Sequence, residues 1–324
     1  MKLNETARIG LGCMNLSHAY GTPPPEQDAV ALLNRALDIG YNHFDTAALY
    51  GFGANESLIG KAVSHRRDEF FLASKCVLVP DDAGKRSLDG RPETIKKTCD
   101  AALKRLSTDY IDLYYLHRYD KNVPLEDSMG AMADLVSAGK IGAVGLSEVS
   151  AETLARAHAV HPIAAVQTEF SLWTRNADIA VIDKCRELGT TFVAFSPVAR
   201  GYLCGTLTDV NSLGERDLRR TMPRFSAENY PKNLELLTPL QEVAEELNAT
   251  MAQVALAWVL QRDAHIVAIP GTTRLSHLQD NFEATGVTLS DLQWQRLDKA
   301  INDQQVYGRR YNDAAQADID TENF

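Results

Sequence analysis

Leu113-Tyr114-Tyr115-Leu116-His117-Arg118 runs from four apolar or aromatic residues straight into two basic ones. With Ile111 ahead of it, the stretch reads as a short strand, Ile111–Leu116, that ends on a side chain with chemistry to offer. Its flanks are of another kind. Upstream, Pro92–Leu106 opens with proline at a tolerated first-turn position and keeps Ile95, Thr98, Ala102 and Leu106 on one side. Downstream, Leu125–Ala138 has helical spacing and stops at Gly139. Helix, strand and helix in that order imply a βαβ unit and hence a parallel sheet.

The unit recurs along the chain. Further strands are expected at Ile9–Gly12, His43–Asp45, Phe70–Lys75, Ala143–Leu146, Ala165–Gln167, Thr191–Phe195 and Ile266–Ile269. Gln27–Ile39 and Ala151–Ala159 are helical between them, the second capped by Ser150. Eight strands favour a closed barrel over an open doubly wound sheet. The open sheet would need a glycine-rich turn under a pyrophosphate, and Gly10-Leu11-Gly12 continues instead as Cys13-Met14-Asn15. The expected fold is α/β, a single (β/α)8 TIM barrel over residues 1–311 with its active site at the C-terminal mouth. Arg200–Tyr230 lacks periodicity and reads as a long loop with a short helix. Residues 312–324 form a polar, acidic tail for which partial disorder is expected.

Composition excludes several classes. The formal charge is -10 and there is no Lys/Arg-rich run, which argues against nucleic acid as a partner. Apolar stretches such as Val254–Leu260 are too short to cross a membrane. Met1–Gly10 lacks the apolar core of a signal peptide, and the five scattered cysteines never fall as CxxC. A cytoplasmic protein without a disulfide framework or a zinc site is the expectation. Oligomeric state is not legible.

The polar residues at successive strand ends carry the chemistry. Asp45 closes the second strand, with Tyr50 five residues on; Lys75 closes the third, His117 the fourth, and Ser147, Gln167 and Phe195 the next three. A closed barrel brings all of them to one mouth. Carbonyl reduction needs a hydride at carbon and a proton at the developing alkoxide. A tyrosine is a slow acid at neutral pH, a neighbouring ammonium favours its phenolate, and a buried carboxylate keeps that ammonium charged. Tyr50, Lys75 and Asp45 supply this series, and His117 is placed to polarise the carbonyl.

At this point the chain resembles a known family. Phe44-Asp45-Thr46-Ala47-Ala48-Leu49-Tyr50-Gly51, then Asn55-Glu56 and Gly60, is similar to the first signature of the aldo-keto reductases. Asp109 to His117 resembles the second signature, and Gly139-Lys140-Ile141-Gly142 through Gly145-Leu146-Ser147 resembles the family's next block. Ser147-Glu148, His158 to Pro162 and Pro223-Arg224-Phe225 are similar to the branch of pyridoxal reductase, perakine reductase and the auxin-induced-type proteins.

The resemblance implies NADPH as cofactor and a small aldehyde or ketone as substrate, with Asp45, Tyr50, Lys75 and His117 catalytic. It places Ser147 and Gln167 at the nicotinamide carboxamide and Phe195 against the ring. Ser196, Val198, Arg200 and Gly201 fall at the pyrophosphate, Gly271, Thr272, Thr273 and Arg274 at the adenosine 2′-phosphate, and Asp280 and Asn281 at the adenine. The chain departs from the family where Glu148 replaces a usual asparagine, Phe195 a usual tyrosine and Gly271 a usual basic residue. Phosphate recognition then rests on Arg274, whose other reading is a surface charge at a helix start. Met14, Tyr119 and Trp173 either line the substrate pocket or anchor their loops. Arg219, Arg220 and Arg224 either cover the anionic cofactor or balance Glu215 and Asp217.

Two rivals come from other classes. A cofactor-holding barrel that docks on a partner, as channel β subunits do, has no need of an intact acid-base set. A metal-dependent hydrolase would draw on His43, His117, His158, His161, His265 or His277. It finds no His-x-His at a strand end, and Lys75 beside Asp45 would repel a cation.

Overall fold

Alternate residues of each strand face two different cores. In the computed structural model, which describes residues 2–81 and 83–324, Phe71, Ala73, Leu113, Tyr115, Ala165, Val193 and Ile269 form an inner cluster with Leu3. Their sequence neighbours Leu72, Tyr114, Val166, Phe192 and Ala268 belong to the larger core under the helices. A strand buried on both faces reads as a continuous apolar run, as Leu113–Leu116 does.

The strands are β1 (Leu11–Gly12), β2 (His43–Asp45), β3 (Phe71–Cys76), β4 (Leu78–Pro80), β5 (Arg86–Leu88), β6 (Ile111–Leu116), β7 (Ile141–Ser147), β8 (Ile163–Glu169), β9 (Thr191–Phe195) and β10 (Ile266–Ile269). Eight of them pair in parallel in the order β1-β2-β3-β6-β7-β8-β9-β10. The ring closes through a parallel bridge between Ile9 and Ala268, supported by the Gly10 amide donating to the Ala268 carbonyl at 2.9 Å. With helices between the strands this is the (β/α)8 barrel. Inside it space is tight: a Cβ on Gly145 would strike the Tyr115 ring.

Several elements differ from expectation. β7 and β8 run longer at both ends than Ala143–Leu146 and Ala165–Gln167, while β1 shrinks to two residues. A hairpin of β4 and β5 follows β3 and has no counterpart in the sequence reading, its strands being three residues each. The long loop holds 3-10 turns at Ala199–Cys204, Leu218–Thr221 and Pro223–Phe225, then a helix at Tyr230–Leu234. It reaches the loop after β1, where the Leu218 amide donates to the Ala19 carbonyl at 3.0 Å and the Arg219 guanidinium lies over the Tyr20 ring. Arg219 pairs with Asp217 at 2.7 Å, as the charge-balancing alternative has it.

Segment 312–324 packs on the barrel, contrary to the disorder its polar composition implies. Asn312 caps a helix at Asp313–Ala317, and Ile319 and Thr321 are buried. Asp320 accepts from the Thr153 hydroxyl at 2.6 Å and the Ser150 hydroxyl at 3.1 Å, and Glu322 accepts from the Ala151 amide at 2.8 Å. These acids serve the amide-rich start of the helix Ala151–Val160, a demand no composition average registers.

Candidate active site

The inward-facing row of the sheet ends in polar residues at one mouth. Asp45 ends β2 and Lys75 lies one residue from the end of β3; both are fully buried, and they form an ion pair. The Lys75 ammonium also donates to the Thr46 carbonyl at 2.8 Å and lies 3.4 Å from the Tyr50 hydroxyl. The second oxygen of Asp45 accepts from the Gln167 side-chain amide at 2.7 Å. The carboxylate is thus held by a cation on one side and an amide on the other. Burial disfavours the Lys75 charge, but Asp45 and Tyr50 outweigh it and hold the ammonium above its ordinary pKa.

Tyr50 opens a tight turn, Tyr50–Gly53, in which Gly51, Phe52 and Gly53 all have left-handed backbones with φ of 58°, 49° and 93°. Asn55 pins this turn to the barrel: it accepts from the Thr46 hydroxyl at 2.7 Å and donates to the Cys13 carbonyl at 2.8 Å. Glu56 beside it is tied to Ser74 and Arg105. The Tyr50 and His117 rings meet edge-on with centroids 5.9 Å apart. On its other side Tyr50 is stacked by His18 at 6.5 Å, a residue the sequence reading did not single out.

Burial first, and then the charges of Arg118 and Lys75, hold the His117 imidazole well below its ordinary pKa. His117 is therefore neutral at neutral pH, and its Nδ1 is buried without a partner among the described residues. Tyr50 departs from the sequence expectation. Burial raises its pKa more than Lys75 lowers it, and the phenol ends above its ordinary value.

A family model described as the aldo/keto reductase family matches residues 8–302. The chain belongs to the aldo/keto reductase family. It is 43% identical over 323 residues to the aldo-keto reductase yakc of Schizosaccharomyces pombe, whose name carries NADP(+), covering 98% of this chain and 95% of the relative. It is 41% identical to the probable aldo-keto reductase 1 of Glycine max, over 95% of this chain and 89% of that one. Among solved structures, the glycerol dehydrogenase of Gluconobacter oxydans superposes with a TM-score of 0.83 at 27% identity, over 91% of each chain. A Klebsiella pneumoniae aldo/keto reductase in complex with NADP and acetate gives 0.72 at 26% identity, over 94% of each chain.

In this aldo/keto reductase chain Ser147, Phe195 and the loops after β9 and β10 lie at or after the C-terminal ends of their strands. The Ser147 hydroxyl accepts from Arg118 at 3.3 Å, and Phe195 ends β9. After it, Ser196, Ala199, Arg200 and Gly201 all adopt left-handed backbones, a curl in which the Ala199 amide donates to the Ser196 carbonyl at 2.8 Å and the Gly201 amide to the Val198 carbonyl at 3.1 Å. The Arg200 side chain is largely buried and donates to Glu169 at 2.8 Å and to the Tyr311 hydroxyl at 3.0 Å. A Cβ on Gly271 would crowd the Gly12 carbonyl and the Asn15 side chain, whose oxygen is buried without a partner among the described residues. Thr272 is buried and accepts from the Arg274 amide at 3.1 Å, while Thr273 and Arg274 are exposed. Arg274 precedes the helix Leu275–Glu283, which carries Asp280 and Asn281, and meets no carboxylate within 4.0 Å among the described residues. Trp173 is buried, stacked on Tyr202 at 4.0 Å and edge-on to Phe225; Met14 and Tyr119 are half-buried.

The sequence reading missed the charge cluster behind this mouth. Glu148 pairs with Arg310, and Glu169 with Arg200 and Arg310, all of them buried. The only signal in the sequence was Glu148 standing where relatives carry asparagine. Its partner lies 162 positions away.

Proposed function

We propose that the chain reduces an aldehyde or ketone to the alcohol with NADPH, Tyr50 acting as proton donor and His117 polarising the carbonyl. The observation that carries this is the buried Asp45–Lys75 pair, with its ammonium 3.4 Å from the Tyr50 hydroxyl and His117 edge-on to the same ring. The names of the fission-yeast relative and the Klebsiella structure support the cofactor. Bound NADPH supplies the hydride.

The residues do the rest. The Tyr50 phenol stays protonated at neutral pH because burial raises its pKa, and it is ready to donate. As negative charge grows on the carbonyl oxygen, the proton moves to it from Tyr50. The phenolate left behind is stabilised by Lys75, which Asp45 keeps charged. Neutral His117 orients the carbonyl oxygen by a hydrogen bond from its ring. Gln167, donating its side-chain amide to Asp45 at 2.7 Å, fixes the carboxylate's direction.

The curl Ser196–Gly201 would hold the pyrophosphate, with Val198 on it, and Phe195 would lie against the nicotinamide beside Ser147. Thr272, Thr273 and Arg274 at the helix start would hold the 2′-phosphate next to Asp280 and Asn281. The five free cysteines suit a reducing compartment, and we place the protein in the cytoplasm. An NADPH-oxidation screen against pyridoxal, aromatic aldehydes, methylglyoxal and steroid-like ketones tests the activity. Turnover of none of them, with NADPH shown to bind, refutes it.

A further inference from the structure

Arg118 succeeds His117 at the mouth end of β6, and the mechanism gives it no task. Its half-buried guanidinium donates to the His117 carbonyl at 2.7 Å and to the Ser147 hydroxyl at 3.3 Å. Both acceptors are neutral. No carboxylate of the described residues lies within 4.0 Å of it, whereas Arg200 and Arg310 at the same mouth are each matched to an acid. Its charge is nonetheless felt at the reacting groups, next after burial in depressing His117.

A guanidinium part-way out of water with only neutral acceptors retains unspent capacity to bind an anion, and its planar fork matches the two oxygens of a carboxylate or phosphate. The chain is acidic, at -10, so a cation of this kind beside the reacting tyrosine is a local reversal of sign. The cofactor's phosphates do not account for it. On the proposed binding mode they lie beyond β9 and β10, separated from β6 by β7 and β8 in the sheet.

We propose that Arg118 is a substrate-binding residue, and that the carbonyl compounds this site prefers carry a carboxylate or phosphate within reach of its guanidinium. The inference rests on the reductase reading of the same mouth. The anion anchors one end of the substrate beside Ser147 and leaves the carbonyl to Tyr50 and His117.

The test compares kcat/KM, at saturating NADPH, for 3-carboxybenzaldehyde, its neutral methyl ester and 3-formylphenyl phosphate. The ester keeps the ring and the aldehyde and removes the charge, and its electronic effect cancels when the anion-to-ester ratio is compared between wild type and variant. At least one anion should exceed the ester by about ten- to hundredfold, mainly through KM. The better of the two anions identifies the group. The advantage should shrink as ionic strength rises. Arg118→Gln should bring the ratio of anion to ester close to unity, and Arg118→Lys should keep part of it. Equal values for ester and anions, or a preference that survives Arg118→Gln, overturns the inference while leaving the reductase intact. Turnover of none of the three overturns both.

Discussion

A buried phenol holds its proton tightly, and Tyr50 does so with Lys75 only 3.4 Å away. The ammonium therefore matters less for the resting tyrosine than for the phenolate that forms as the proton leaves. Tyr50→Phe should cut carbonyl reduction by about 10²–10⁴-fold, with NADPH affinity by fluorescence titration nearly unchanged. A variant that keeps its turnover, with chemistry shown to be rate-limiting, refutes the assignment. Lys75→Met removes the cation that receives that phenolate and leaves Asp45 with Gln167 alone. Its rate should collapse and its stability fall by roughly 3–5 kcal/mol, read from single-turnover kinetics and urea unfolding together. A wild-type pH-rate profile in that variant would mean another group tunes Tyr50. Arg274 is exposed, with no acid within 4.0 Å among the described residues, as a phosphate ligand can be before its ligand arrives. Arg274→Ala should weaken NADPH by about one to two orders of magnitude and NADH hardly at all. Equal losses for both would return the residue to the fold.

At the scale of elements, the four helices named from the sequence and the buried strands were legible because their periodicity is local, whereas Met251–Arg262 and Asp291–Ala300 were not singled out. Pro92–Leu106 matches its expected bounds, and Asp45, Lys75 and His117 were placed by strand ends alone. The hairpin of β4 and β5 was not legible, since strands of three residues carry too little pattern to separate them from a turn. Trp173 could not be assigned to pocket or anchor either, because its burial depends on Tyr202 and Phe225, which lie in the loop after β9. The tail was misread for a related reason. Its acids looked solvated in sequence, yet Asp320 and Glu322 satisfy donors at a helix start about 170 residues earlier. Asp320→Ala should cost about 0.5–2 kcal/mol in urea unfolding, with the kcat of the folded enzyme retained. No loss of stability would restore the picture of a loose tail.

Across the whole molecule, the buried titratable groups set the response to acid. Burial depresses the His43 imidazole from 6.5 to about 4, and His117 falls well below its ordinary value too. The unfolded chain therefore binds these protons first as pH drops, and stability should decline from about pH 6.5 toward 4. His43 alone contributes on the order of 3 kcal/mol to that decline. His43→Gln should flatten it in a series of thermal melts, and an unchanged slope would locate the effect elsewhere. Burial works to raise the Glu169 carboxyl, but Arg200 and Arg310 overcome it and hold the group near 2, against 4.5 ordinarily. Its contribution is full above 4.5 and disappears as pH falls through about 2. That pairing also has a history in time. Arg310 is translated after all eight barrel strands, so while the chain is being made Glu148 must wait without its cation and Glu169 has Arg200 alone. The barrel wall can assemble first, but its mouth matures last. A ribosome that stalls between residues 270 and 309 would release a product with every strand, a bare Glu148 behind its active site and Glu169 held by Arg200 alone.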